Sequence, residues 1–142
     1  LGVSIKTEVI IKAVSVKDPQ LPLVIWGSIG YPSSNKILEV IKKYNDPGHE
    51  LIGAFIDDVL VGVIGLLKAD KNITIGHISV LPQFQRRGMG SLLINHVKSH
   101  RGSHTLIAET DEESVGFYAK IGFSCQPFKG QYGGLRYRCE FR

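Results

Sequence analysis

Apolar and polar positions recur along the chain with two different periods, and each change of period marks an element. EVIIKAV, residues 8–14, is rich in β-branched side chains and reads as a strand closed by the polar SVKDPQ. The apolar spacing then lengthens to three and four residues. Leu21, Val24, Ile25 and Ile29 form a helical stripe, opened by Asp18 as a cap before Pro19 and broken by GYP at 30–32. A second stripe, Ile37, Leu38, Ile41 and Tyr44, starts near Ser33 or Ser34 and stops at NDPG, residues 45–48. ELIGAFIDDVLVGVIGLL, 50–67, predicts two strands turning at Asp57-Asp58; KADKN makes another turn, and ITIGHISV, 73–80, is a third consecutive strand ended by Pro82. From Gly88 the set Met89, Leu92, Leu93, His96 and Val97 returns to helical spacing and stops at Gly102. TLIAET, 105–110, reads as a short buried strand. The next helix opens with Thr110 and Glu113 at capping-box spacing, or with Asp111 as the cap; it presents Ser114, Phe117, Tyr118 and Ile121 on one face and ends at Gly122. FSCQPFK, GQYGG and LRYRCEF (123–141) close the chain, and Leu, Tyr, Cys and Phe alternate with charged residues in the last of these, as in a half-exposed strand. The predicted order is β-α-α-β-β-β-α-β-α-β-β.

A chain of 142 residues is expected to form one domain, residues 1–142, with no linker or repeat dividing it. The longest apolar run, VLVGVIGLL at 59–67, is far shorter than the roughly 20 residues that span a bilayer, and Leu1 begins no signal-peptide pattern. The expectation is a soluble, cytoplasmic protein without membrane partners. Seventeen Lys and Arg against thirteen Asp and Glu leave a net charge of +4, which suits an anionic ligand but is modest for a nucleic-acid binder. Cys125 and Cys139 lie symmetrically about Tyr132, so a hairpin turning there brings them close; without CxxC spacing they read as reduced structural thiols. His96, His100 and His104 recur every four residues, yet Gly102 ends the helix before His104 and no carboxylate or cysteine joins them, so no metal site is expected.

Chemistry concentrates at one junction, LPQFQRRGMGSLL, residues 81–93, where a strand ends, two arginines follow and a helix begins at glycines. The first N–H groups of a helix lack partners, the macrodipole adds about half a positive charge, and glycine lets an anion approach the backbone. Arg86 and Arg87 add charge-assisted donors. A diphosphate fits such a cradle. Two better-known phosphate loops do not apply: no Gly-Lys-Ser/Thr follows, and the third glycine of a dinucleotide fingerprint would fall at Leu93.

Gln85-Arg86-Arg87-Gly88-Met89-Gly90 resembles the signature of the general-control-type N-acetyltransferase (GNAT) superfamily: Gln or Arg, two residues, Gly, one residue, then Gly or Ala. HISVLPQF is similar to that family's fourth strand and following loop, and AETDEESVGFYAKIGF, 108–123, to its second motif. The resemblance covers nearly the whole chain, as in small single-domain bacterial-type members. It implies an α/β (α+β) fold with a mixed, mostly antiparallel sheet of about seven strands and four helices, in which the fourth and fifth strands are parallel and splay apart. It also implies acetyl-CoA as acyl donor, with the pantetheine arm in that gap against the backbone of Ile78, Ser79 and Val80. The pyrophosphate would meet the amides of Arg86, Arg87, Gly88, Met89, Gly90 and Ser91, next to Gln85; Asp111, Ser114 and Phe117 complete the cofactor-binding set.

For the chemistry, the resemblance puts Tyr118 at the general-acid position, where a phenol can protonate a departing thiolate. The fourth-strand glutamate that serves some relatives as base is replaced by Thr74, counted back from Gln85. Glu109 and His77 stand as substitutes acting through water. The implied reaction moves an acetyl group to a primary amine of a small molecule, amino acid or peptide by direct attack in a ternary complex. The other reading is a non-catalytic CoA-binding sensor. Trp26, Tyr31 and the GQYGG segment with Tyr132 border the acceptor's expected place, and the sequence leaves the acceptor and the oligomeric state, a homodimer included, open.

Overall fold

The computed structural model describes residues 8–142; the reading of Leu1 lies outside them. The chain builds a seven-stranded sheet of order β1-β2-β3-β4-β5-β7-β6. Its strands are β1 (Ile10–Ala13), β2 (His49–Ile56), β3 (Val59–Ala69), β4 (Asn72–Val80), β5 (Thr105–Thr110), β6 (Ser124–Lys129) and β7 (Leu135–Phe141). The helices are α1 (Leu21–Ile25), α2 (Ser34–Lys43), α3 (Met89–His100) and α4 (Val115–Lys120), in the predicted order. Every strand pair is antiparallel except β4 with β5.

Local chemistry accounts for most boundaries. Ser33 caps α2, its hydroxyl accepting from the Lys36 amide at 3.2 Å. Asp57 and Asp58 turn the β2–β3 hairpin with φ of 49° and 64°, the left-handed values a two-residue turn demands. Gly122 ends α4 at φ 97°. Cys125 and Cys139 are direct cross-strand partners in the final hairpin, both as free thiols.

Three expectations need correction. The capping box does not form, because Thr110 is still a residue of β5; Asp111 caps instead, its carboxylate accepting from the Ser114 amide at 2.9 Å. Leu38 is 60% exposed, since α2 docks through Ile37, Ile41 and Tyr44. On α3, likewise, Leu92 is 43% exposed and the buried face runs through Met89, Leu93, Ile94 and Val97.

The core lies between sheet and helices, with Leu60, Ile64, Leu93, Ile94 and Leu106 almost fully enclosed. Each such side chain contributes about 1.5 to 3 kcal/mol relative to exposure. Among the described residues no helix is long and apolar enough to cross a membrane.

Candidate active site

The site begins with a defect in the sheet. Gly65 of β3 pairs with His77 and Leu66 with Ile75, so Gly76 is an extra residue in β4, a bulge. Pairing between β4 and β5 stops at the same place, its last register being Ile75 with Ala108. Beyond Gly76 the two strands part. The glycine fits because the Tyr44 hydroxyl lies 3.3 Å from where its Cβ would stand.

Backbone groups line the opening. Leu81 N–H donates to Val61 O at 2.9 Å, so in the alternating antiparallel ladder Leu81, Ser79 and His77 face β3, while Ile78 and Val80 turn theirs toward the gap. The backbone of Ile78 and Val80 thus borders the gap. The backbone of Ser79 does not, because it is engaged with β3, and its side chain approaches Gly27. Val80 O is itself taken, accepting from the Gln85 side-chain amide at 2.9 Å, so Gln85 pins the following loop to the end of β4.

That loop leads into α3. Arg86 and Gly88 both adopt left-handed backbone, φ 62° and 78°, so the loop turns sharply twice between the extended Gln85 and the first turn of α3. No backbone acceptor engages the amides from Arg86 to Ser91; the first amide bonded is Leu92, to Gly88 O at 3.0 Å. These donors surround a recess of about 390 Å³ lined by Arg86, Gly88, Met89, Gly90, Ser91 and Phe117. Arg86 and Arg87 are exposed, and neither forms an ion pair among the described residues. Gly90 is held against α4: a Cβ there would meet Phe117 Cζ at 3.2 Å. A ligand carrying two linked phosphates and a strand-like amide arm fits this combination of bare amides and open strand edge.

On the other side of the gap, a second cleft of about 390 Å³ runs past Gly76, His77, Glu109, Asp111, Ser114 and Tyr118 to Arg136. Tyr118 is 5% exposed, packed edge-on between Phe117 and Phe123, and burial pushes its hydroxyl up to about 12. His77 is half-buried, and its Nδ1 lies 2.6 Å from the Tyr44 hydroxyl. Burial and the charge of Lys43 hold the imidazole below its usual range, while burial pushes Tyr44 up to about 12. The phenol therefore keeps its proton, and where it donates to Nδ1 the imidazole carries its own proton on Nε2. Glu109 is exposed and lines both this cleft and a cavity of about 460 Å³ beneath the β6–β7 hairpin tip. Thr74 pairs with Ile107, below the point where the strands part.

The structure thus brings together the loop, the gap and the helix that carries Tyr118. Sequence reasoning missed Gly76, Tyr44 and Arg136. An isolated glycine inside an apolar strand was the available signal for the first; the others gave none.

Residues 32–137 match the family model described as an acetyltransferase (GNAT) domain. No curated protein matches the sequence significantly. Among solved structures, the chain is similar to an aminoglycoside 6′-acetyltransferase type Ii at 20% identity and TM-score 0.78, covering 93% of this chain and 96% of that one. A GNAT family acetyltransferase from Elizabethkingia anophelis with acetyl-CoA bound aligns at 20% identity and TM-score 0.73, covering 96% and 99%. A ribosomal-protein-alanine N-acetyltransferase from Escherichia coli aligns at 16% identity and TM-score 0.76, covering 94% and 92%.

Proposed function

The chain belongs to the GNAT acetyltransferase family, and from that premise we propose that it transfers an acetyl group from acetyl-CoA to a primary amine by direct attack in a ternary complex. One observation carries the reading: a parallel strand pair that opens at Gly76, with bare amides at one end and Tyr118 lining the adjoining cleft. Coenzyme A bound by solved neighbours supports the donor.

The amides of Arg86 to Ser91 and the two arginines hold the diphosphate, and the gap-facing backbone of Ile78 and Val80 aligns the arm. Bound there, acetyl-CoA supplies a thioester whose C–S bond breaks as a C–N bond to the amine forms. Tyr118 gives its proton to the sulfur. Burial raises the phenol to about 12, but the same desolvation strengthens a thiolate as a base, so donor and acceptor stay matched.

The amine must lose a proton to attack, and of the two substitute bases Glu109 is the one free to take it. His77 has Nδ1 engaged with the Tyr44 hydroxyl, and with that hydroxyl as donor its Nε2–H is suited to hold the acceptor's oxygen or a bridging water. Ser114 and Asp111 line the same cleft; Asp111 serves the architecture by capping α4, and with it the position of Tyr118.

Thiol release from acetyl-CoA with a panel of primary amines tests the proposal. Amine-dependent release with an N-acetylated product is the expected result. Tight CoA binding with no turnover on any amine would instead support the sensor reading, which the lack of a fourth-strand carboxylate favours.

A further inference from the structure

We propose that the acceptor is an amino acid, held as a zwitterion with its ammonium at Glu109 and its carboxylate at Arg136. The inference rests on the reading of this cleft as the acceptor side of an acetyltransferase and adds the substrate class. Glu109 and Arg136 are the two residues shared by the cleft at the strand gap and the cavity under the hairpin tip, so they stand where the two spaces meet. They carry opposite charges, yet form no ion pair with each other; the ion pairs among the described residues both use Glu140, with Arg138 at 3.2 Å and Arg142 at 3.1 Å.

The ladder explains why the two charges face one space without touching. Glu109 of β5 pairs with Arg138 of β7, so Arg136, two residues along, projects from the same face as a diagonal neighbour. Diagonal neighbours stand about 7–8 Å apart. On that backbone spacing two long side chains of opposite charge leave room between them for a small ligand that carries one charge of each sign. Arg138, the nearer cation, is turned away to Glu140 at 3.2 Å, which leaves Glu109 free for a ligand's ammonium.

Arg136 is also braced. Its stem lies on Gly130, where an added Cβ would stand 2.7 Å from Arg136 Cγ, and the tip containing Gly130 is closed by Gly130 N–H to Gly134 O at 2.7 Å. The guanidinium of a half-buried arginine held this way is pre-oriented for the planar, two-point grip that a carboxylate accepts. An amino acid seated on both residues presents its amine toward the gap and its side chain toward Phe128 and Gln131 in the hairpin cavity.

The test compares leucine with leucinamide and phenylalanine with phenylalaninamide as acceptors at saturating acetyl-CoA. The amide's amine is less basic and more often neutral, so intrinsic reactivity favours the amide; a preference for the free acid has to come from the site. The expected kcat/KM ratio favours the acid by about tenfold to a hundredfold, the range of a charge-assisted pair at a half-exposed site. In Arg136→Gln the ratio falls, through KM, toward the amide-favouring value that intrinsic reactivity sets, and Arg136→Lys restores part of it; a CoA titration of each variant verifies that it is folded. Amides used as well as acids, or a preference that survives Arg136→Gln, overturns the zwitterion site while leaving the acetyltransferase reading intact. No thiol release with acids, amides or simple amines alike, despite CoA binding, brings down both.

Discussion

Gly88 and Gly90 stand two residues apart, and the structure assigns them different duties that substitution separates. Gly88 has open space around its α-carbon and a φ of 78°, so Gly88→Ala meets no neighbour and costs about 1 to 2 kcal/mol of folding stability through left-handed backbone alone. Gly90 is helical. A side chain there gains about 0.5 to 1 kcal/mol over glycine, partly offset because its Cβ presses on Phe117 at 3.2 Å. In Gly90→Glu a carboxylate also enters the first turn of α3, where the helix dipole favours it by about 0.3 to 1 kcal/mol. The unliganded variant is therefore about as stable as the parent. Its carboxylate competes with the diphosphate for the same amides, and loss of two charge-assisted bonds, about 1.5 to 3 kcal/mol each, weakens CoA binding more than a hundredfold. Calorimetry with CoA beside ligand-free thermal melts reads both quantities. A Gly90→Glu protein that melts normally and binds CoA within threefold of the parent would refute the placement of the diphosphate on these amides.

Tyr118→Phe keeps CoA affinity and lowers turnover about a hundredfold or more, the usual scale for a lost general acid; unchanged kcat in a stopped assay removes Tyr118 from the chemistry. Asp111→Ala strips the cap from α4 and costs about 0.5 to 2 kcal/mol, read as a lower urea midpoint, whereas Asp111→Ser or Asp111→Asn recovers most of it. His77 titrates below the usual imidazole value of about 6.5 in the fold, chiefly through burial and then Lys43, so the unfolded chain binds its proton more readily. Its contribution to stability is complete above pH 6.5 and is lost as pH falls toward and through the folded value; His96, lowered by burial and by His100, acts with the same sign. Urea midpoints between pH 7 and 5 should slope less steeply in His77→Gln than in the parent, and identical slopes would contradict the buried neutral imidazole.

The order of elements was readable because each rests on short-range chemistry: the Asp57-Asp58 turn, the Ser33 cap and the Gly122 terminus act within a few residues of themselves. Faces were harder. Ile37 and Leu38 are equally apolar and about 100° apart on a helix, and only the docking of α2 decides that Ile37 is buried and Leu38 is not. Thr110 failed as a cap for a similar reason. Its pairing with Tyr137 keeps it in β5, a partnership across 27 residues that capping-box spacing cannot see.

The two halves of the site differ in the same way. The proposed diphosphate half consists of backbone donors of one contiguous segment, and a contiguous segment announces itself through residue type, because glycine and a helix start leave few alternatives. The acceptor half is assembled from side chains on β4, β5, β7 and α2. Tyr44 reaches His77 across 33 residues, and Arg136 comes to face the same space as Glu109 only through the register of strands that are not consecutive in the chain. On its own strand Arg136 occupies the polar beat of an alternating pattern, which is indistinguishable from a charge facing water. On this proposal, a chain that keeps the glycine loop but changes those few residues would hold the same donor and take a different amine. By the same proposal, acceptor choice is to be sought at Glu109, Arg136 and the hairpin tip, where a substitution is expected to redirect the reaction without disturbing the amides proposed to hold the donor.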